Sequence, residues 1–211
     1  MLFRSVSQSR YKQWVREREV NKIMVGELDL VNKLLFNGSI IESPENAPCE
    51  KNWIPWINSH GDEYFIYWWG PFQLGQRVVE TSQTLKIICN RDVPRIFGYF
   101  RGSSNIVYLA SYDEYWTVVH FVHTPINGEG TRRYYHCLVK LKEDKSGLLH
   151  PISYTVPFTF LFSSGKRAIE YCMGFSVRNT HARFWISCMD SDPHRLDIEL
   201  KELQGLEWMS V

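Results

Sequence analysis

Hydrophobic and polar positions along this chain either alternate with a period of two or gather into short apolar runs closed by turn residues. Both patterns predict β-strands rather than helices. No stretch sustains helical periodicity beyond about ten residues. The runs line up as a loose repeat. A first unit opens at Asn52-Trp-Ile-Pro-Trp-Ile, turns at His60-Gly61-Asp62, continues as Tyr64-Phe-Ile-Tyr-Trp-Trp and ends in Thr84-Leu-Lys-Ile-Ile-Cys. A second opens at Ser103-Ser-Asn-Ile-Val-Tyr-Leu, turns near Tyr112-Asp113-Glu114, and continues as Tyr115-Trp-Thr-Val-Val-His. Past a loop with Asn127-Gly128-Glu129-Gly130 it reaches Tyr134-Tyr-His-Cys-Leu-Val-Lys-Leu. A third opens at Ile169-Glu-Tyr-Cys-Met-Gly-Phe, turns near Asn179-Thr180, continues as Ala182-Arg-Phe-Trp-Ile-Ser and ends at Leu196-Asp-Ile-Glu-Leu.

Short strand, tight polar turn, aromatic strand, loop and final alternating strand is the order of one four-stranded antiparallel blade. Residues 20–36, with Ile23-Met-Val-Gly-Glu-Leu-Asp-Leu, read as the closing strands of a preceding blade. The expected fold is therefore all-β: a partial β-propeller of three to four blades, built of four-stranded antiparallel sheets over residues 21–211, after an N-terminal extension at 1–20. Roughly four to eight blades are needed to close such a ring. The missing blades predict a protein partner or an oligomer that covers the open sheet edges. A compact β-sandwich is the competing architecture, because its strands have similar spacing.

Composition narrows the function classes. The 24 basic and 23 acidic residues nearly cancel, which argues against a nucleic-acid or anionic-membrane partner. No apolar run is long enough to span a membrane, and residues 1–20 lack the apolar core of a secretory signal. The five cysteines, Cys49, Cys89, Cys137, Cys172 and Cys188, have no zinc spacing and read as free thiols in a reducing compartment. The expected location is thus cytoplasmic, or within a viral particle. No metal or cofactor motif is present, and phosphate-binding and nucleophile-elbow motifs are absent. The excess is aromatic, with 12 Phe, 11 Tyr and 8 Trp among 211 residues. Most suit strand cores, and Trp56, Trp68 or Trp69 are candidates to stack on a sugar ring at a channel mouth.

In a propeller the first strand of each blade lines the central channel, so polar residues at unit starts are the candidate ligand-binding groups. They are Glu50, Lys51 and Asn52 opening the first unit, Arg101 with Gly102-Ser103-Ser104-Asn105 before the second, and Glu170 opening the third. Charges beside apolar strands are costly to bury without a partner. Phosphate, water or sugar hydroxyls would satisfy them, and so would a salt-bridged axis of Lys51 and Arg101 against Glu50 and Glu170. His120, Tyr135 and His136 form a second set of donors. His120 and His123 should point to opposite faces of their strand and share no metal. Asp190, Asp192 and His194 read as a loop between the last strands, and adjacent carboxylates there suggest acid–base work only weakly.

The series Glu50-Lys-Asn-Trp-Ile-Pro, Tyr64-Phe-Ile-Tyr, Arg101-Gly-Ser-Ser, His120, Tyr135-His136, Ile169-Glu170, and Ile186-Ser with Asp192 resembles the later blades of a five-bladed β-propeller group. That group is related to glycoside hydrolase family 130, the β-mannoside phosphorylases and hydrolases. It includes similar domains attached to glycosyltransferases and found in large DNA viruses. The likeness spans about residues 22–200. It implies a substrate-binding role for Lys51, Asn52, Arg101, His120 and His136, toward carbohydrate or inorganic phosphate. The family's proton donor, an Asp in an early E-D-P-R-like stretch, has no counterpart here, and Phe121 stands where related domains carry Glu. The expectation is a carbohydrate-binding or carbohydrate-processing domain without its own catalytic acid, acting with a partner. The alternative is a structural or assembly protein that keeps the fold without the chemistry.

Overall fold

The structure is a computed structural model describing residues 6–7, 22–45, 50–78, 84–124, 132–160 and 169–211. Four antiparallel sheets follow one another along the chain. The first contains β1 (Val6–Ser7), β2 (Ile23–Asp29) and β3 (Leu34–Ile41). The second is a meander of β4 (Ile54–Ile57), β5 (Glu63–Trp69), β6 (Phe72–Val78) and β7 (Thr84–Arg91). A 3-10 turn at Arg95–Tyr99 leads to the third. That sheet holds β8 (Arg101–Gly102), β9 (Val107–Leu109), β10 (Glu114–His123), β11 (Arg133–Glu143) and β12 (Leu149–Thr155). The fourth holds β13 (Glu170–Arg178), β14 (His181–Cys188) and β15 (Asp192–Glu199). After the single turn and a half of α1 (Leu200–Gln204), β16 (Trp208–Ser210) returns to pair with β12 and enlarges the third sheet.

Period-two alternation gives each inner sheet two apolar faces, and the sheets stack on them in chain order. Ile23, Val25 and Ile41 of the first sheet pack on Trp53, Phe65, Tyr67 and Leu85 of the second. The opposite face of the second sheet presents Trp56, Ile66, Phe72 and Leu74 to Val119, Cys137, Val139 and Leu141 of the third, with Phe97 and Phe100 of the 3-10 turn between them. The other face of the third sheet offers Trp116, Val118 and Leu138 to Phe175, Phe184 and Ile186 of the fourth. Fully burying one such side chain contributes about 1.5–3 kcal/mol. Among the described residues each buried cluster joins successive sheets, and none joins the first to the fourth.

The all-β expectation holds, and the units beginning near 52, 103 and 169 each correspond to one sheet. Strand counts depart from four per unit. The second sheet has four, through β6, whose Gly75 and Gln76 interrupt the apolar pattern. The opening of the next unit breaks into β8 and β9, both paired with β10, around Ser103–Ile106. The fourth sheet has three strands. Residues 192–195, expected in a loop, belong to β15, since the turn is confined to Met189–Ser191, where Met189 and Asp190 take positive φ. No helix is long and apolar enough to cross a membrane. Cys89, Cys137, Cys172 and Cys188 are free thiols, and Cys49 lies outside the described residues.

Candidate functional site

Three polar residues form a row across the third sheet because the register places them side by side. Arg101 of β8 is opposite His120 of β10, and His120 is opposite His136 of β11. A bridge continues the row from His136 to Phe158. His120, Tyr134 and His136 share the strand face that carries Val118 and Leu138 toward the fourth sheet. There the His120 ring stacks on Tyr134 at 5.6 Å between centroids and meets the Tyr171 ring of β13 edge-on at 5.1 Å. His136 is enclosed by Phe158 and Phe160 at 6.1 and 4.8 Å.

These imidazoles are buried in the apolar layer. His136 is fully buried and His120 is 5% exposed. Neither nitrogen of His136, nor Nδ1 of His120, has a hydrogen-bond partner among the described residues. Burial holds His136 down to about 3, helped by its neighbour His120, while the backbone of Glu170 acts in the opposite direction. Burial likewise pulls His120 down to about 4, and the positive charges of Arg101 and Lys51 add to it. Both rings are therefore neutral at pH 7. His120, nearer the rim, has the chemistry to donate to or accept from a hydroxyl, and neither ring is a competent proton donor in that range.

The rim above His120 is cationic and aromatic. The Arg101 guanidinium lies 4.7 Å from the Trp68 ring and donates from Nη1 to the carbonyls of Phe100 at 2.8 Å and Gly98 at 3.4 Å. Desolvation lowers the Arg101 pKa from its ordinary value. Lys51 is exposed, and among the described residues neither Lys51 nor Arg101 has a carboxylate partner. Asn52 takes a left-handed φ of 66°, which an Asn tolerates, and turns the chain into β4. On the opposite face of the third sheet Tyr135 stacks on Phe121 at 5.4 Å, and with His123 and Pro157 they line an open cleft.

The expected site residues thus divide. Lys51, Arg101, His120 and His136 come together, with Asn52 supporting them through a backbone contact with Gly102. Tyr135 borders the same sheet end from the other face. Glu50 turns away from the row: its carboxylate, in the layer between the first and second sheets, accepts from Trp53 Nε1 at 3.0 Å and Tyr67 Oη at 3.5 Å. The salt-bridged axis through Glu50 is therefore not formed, because two aromatic donors already satisfy it. Glu170 is buried and accepts from the Phe160 amide at 2.9 Å, closing the His136 cage. Asp192 sits two strands beyond Glu170, through Cys188, at about 10 Å by strand spacing, and pairs with His194 at 3.1 Å. Of the candidate stacking residues, Trp56 and Trp69 are core and Trp68 is exposed. His123 is exposed where His120 is buried, as their opposite faces require.

Tyr134 and Tyr171 join the site without standing among the candidates that the sequence offers, whereas Ser103 belongs to the polar stretch at the start of the second unit. Tyr171 is pushed up to about 12 chiefly by burial, and beside it the Ser103 hydroxyl donates to the Cys172 carbonyl at 2.8 Å. The alternation Tyr134-Tyr135-His136 marked Tyr134 as the neighbour of His136 on one face, and that signal was available. The contact of Tyr171 with His120 joins separate sheets and has no local signal. Among the described residues no group of three or more His, Cys, Asp or Glu side chains is arranged to hold a metal. No protein-family model matches this chain, and no curated protein or solved structure matches it either.

Proposed function

We propose that this chain is a carbohydrate-binding domain whose stacked sheets are the blades of an incomplete β-propeller, and that it acts with a protein partner rather than as a free-standing glycosidase or phosphorylase. The observation that supports this reading is the row Arg101–His120–His136. It ends in a rim of Lys51, Arg101 and the exposed Trp68, with His120 beneath the rim and His136 enclosed in the apolar layer behind it. A sugar presents an apolar ring face to an indole and hydroxyls to imidazole and guanidinium groups. Inorganic phosphate would engage the two cations alone. Binding rather than turnover is favoured because both histidines are neutral at pH 7, and a general acid contributing about 10²–10⁴ in rate would have to come from elsewhere. Free thiols at Cys89, Cys137, Cys172 and Cys188 fit a reducing, cytoplasmic setting.

The test is an NMR titration of the purified chain with mannose-containing oligosaccharides and, separately, inorganic phosphate, reading the Trp68 indole and the His120 ring. Saturable shifts with the oligosaccharides, weakened at least about tenfold by Arg101→Ala or Lys51→Ala, are expected, a loss of about 1.4 kcal/mol. Saturation by phosphate alone would restrict the site to an anion, and no saturable shift from either ligand would overturn the reading. A second reading, an assembly component without ligand chemistry, is favoured by the apolar side chains that the β2–β3 hairpin exposes: Leu30, Val31, Leu34, Leu35, Phe36 and Ile40.

A further inference from the structure

The layers between successive sheets differ in their titratable groups. Of the seven histidines only His120 and His136 are buried, and both point into the layer between the third and fourth sheets. His120 meets the far wall of that layer directly, its ring edge-on to Tyr171 of β13. His136 reaches the wall through Phe160, whose ring lies 4.8 Å from the imidazole and 5.4 Å from Phe184 of β14. The other titratable groups facing the pair do little to accommodate a proton. Arg101 and Lys51 bring positive charge to the His120 side. Tyr134 and Tyr171 present rings, and the Cys172 thiol is turned to the Gly174 carbonyl of its own strand. Glu170 accepts from the Phe160 amide, and neither His136 nitrogen bonds to it. Asp192 pairs with His194 on β15, and Lys140 with Glu114 beside Trp116 at the other end of the layer.

We propose that the seam between the third and fourth sheets is an acid-operated joint, which protonation of His120 and His136 parts while the layer between the second and third sheets stays closed. A closed seam would hold two imidazoliums side by side, next to Arg101, in an apolar layer, and unpaired buried charges are costly. Parting the seam gives each ring water, so protons favour the open form. The other face of the third sheet holds no histidine: there Trp56, Ile66, Phe72 and Leu74 meet Val119, Cys137, Val139 and Leu141. Acid therefore acts on one face of that sheet and spares the other. The lowered pKa values of both rings agree in sign. The joint is built into the same row as the proposed glycan site, but it holds whether or not a glycan binds there.

Buried thiols read the two faces of the third sheet separately. Cys172 and Cys188 lie in the seam and Cys137 in the layer toward the second sheet, all three fully buried. The experiment follows their modification in the full chain by 4,4′-dithiodipyridine, which reacts with thiols in acid, at pH 7 and at pH 5. Each rate is divided by that of the urea-unfolded chain at the same pH, which leaves the local opening equilibrium. Opening at Cys172 and Cys188 is expected to rise at least about tenfold on acidification, with Cys137 unchanged. The rise should vanish in the His120→Gln/His136→Gln double variant. His120→Gln alone serves should the double variant not fold, and is expected to lessen the rise at least about fivefold. A rise shared equally by Cys137 would overturn the proposal, because the whole fold would then be opening. No rise at the seam, or one that persists in the histidine variants, would overturn it as well.

Discussion

Gly102 lies directly on the backbone of Asn52: a Cβ at Gly102 would sit 2.2 Å from the Asn52 carbonyl oxygen and 2.6 Å from Cγ1 of Ile54. This contact is where the entry to the second sheet meets the first strand of the third. It sets how far Arg101, one residue earlier, stands from Lys51, one residue before Asn52. The obstacle is backbone on one side and a fully packed isoleucine on the other, so neither can yield cheaply. Gly102→Ala is therefore expected to destabilise the protein by about 1–3 kcal/mol, the usual cost of overpacking. Asn52→Gly should be neutral or slightly stabilising, because glycine adopts the left-handed φ of 66° without the small strain that even an Asn retains there. Urea denaturation of the two variants checks both signs.

The buried histidines give the protein an acid-sensitive stability. Each has a folded pKa below its unfolded value near 6.5, at about 4 for His120 and about 3 for His136. Between those values and 6.5 the unfolded chain binds more protons than the folded one, so stability rises with pH and is lost as pH falls through this window. From pH 7 to pH 5 the loss is about 2 kcal/mol for each ring, to order of magnitude. Denaturation midpoints at the two pH values should show it, and His136→Gln should remove about half the difference. A pH-independent midpoint would mean that these rings are hydrated and not enclosed.

Much of this arrangement is legible in the sequence because it is local. Alternation in Tyr134-Tyr-His-Cys-Leu-Val-Lys-Leu fixes which residues of β11 face the second sheet and which the fourth, and hence places His136 in an apolar layer. The turns at His60–Asp62 and Asn179–Thr180 carry the usual turn residues and fall where expected. The destination of Glu50 is not local. A carboxylate beside Lys51 and Asn52 looks like a channel group, yet Tyr67, seventeen residues later, reaches it from β5. The extent of β12 and the return of β16 were equally hidden. Pro151 lies at a register shift between β11 and β12, and β16 has only three residues, so neither leaves a strong periodic trace.

At the opposite end of the second and third sheets, Glu143 ties the turn at Ser59 to Tyr115 of β10. Its carboxylate accepts from the Ser59 amide at 3.1 and 3.2 Å, from the Ser59 hydroxyl at 2.6 Å and from Tyr115 Oη at 2.9 Å. Burial, reinforced by this bond, raises the Tyr115 pKa well above its usual range. Glu143→Ala leaves three donors without their acceptor and should cost about 1–3 kcal/mol. It should also loosen the turn at residues 58–62, read as faster amide exchange at Gly61 with little change at His136.

The last strand is held by a cation rather than by its length. Lys140 of β11 places Nζ 4.0 Å from the Trp208 ring and 4.9 Å from the Trp116 ring, with Glu114 Oε2 at 4.0 Å. Trp208 also donates from Nε1 to the Leu203 carbonyl at 3.1 Å, tying α1 to the same point, and its ring lies 5.1 Å from that of Trp116. Three ladder pairs between β12 and β16 would not by themselves keep a chain end in place against the entropy of ordering it. Lys140→Met keeps the apolar stem and removes the charge, so it isolates the cation–π contribution, expected at about 0.5–2 kcal/mol for a partly desolvated pair. Trp208→Ala removes the ring as well and should cost more, about 3 kcal/mol or above. Because both changes dismantle the same contact, the double variant should fall short of their sum by about 0.5–3 kcal/mol. Additive losses would show that Lys140 stabilises the fold through Glu114 and that β16 is secured by its ladder and packing alone.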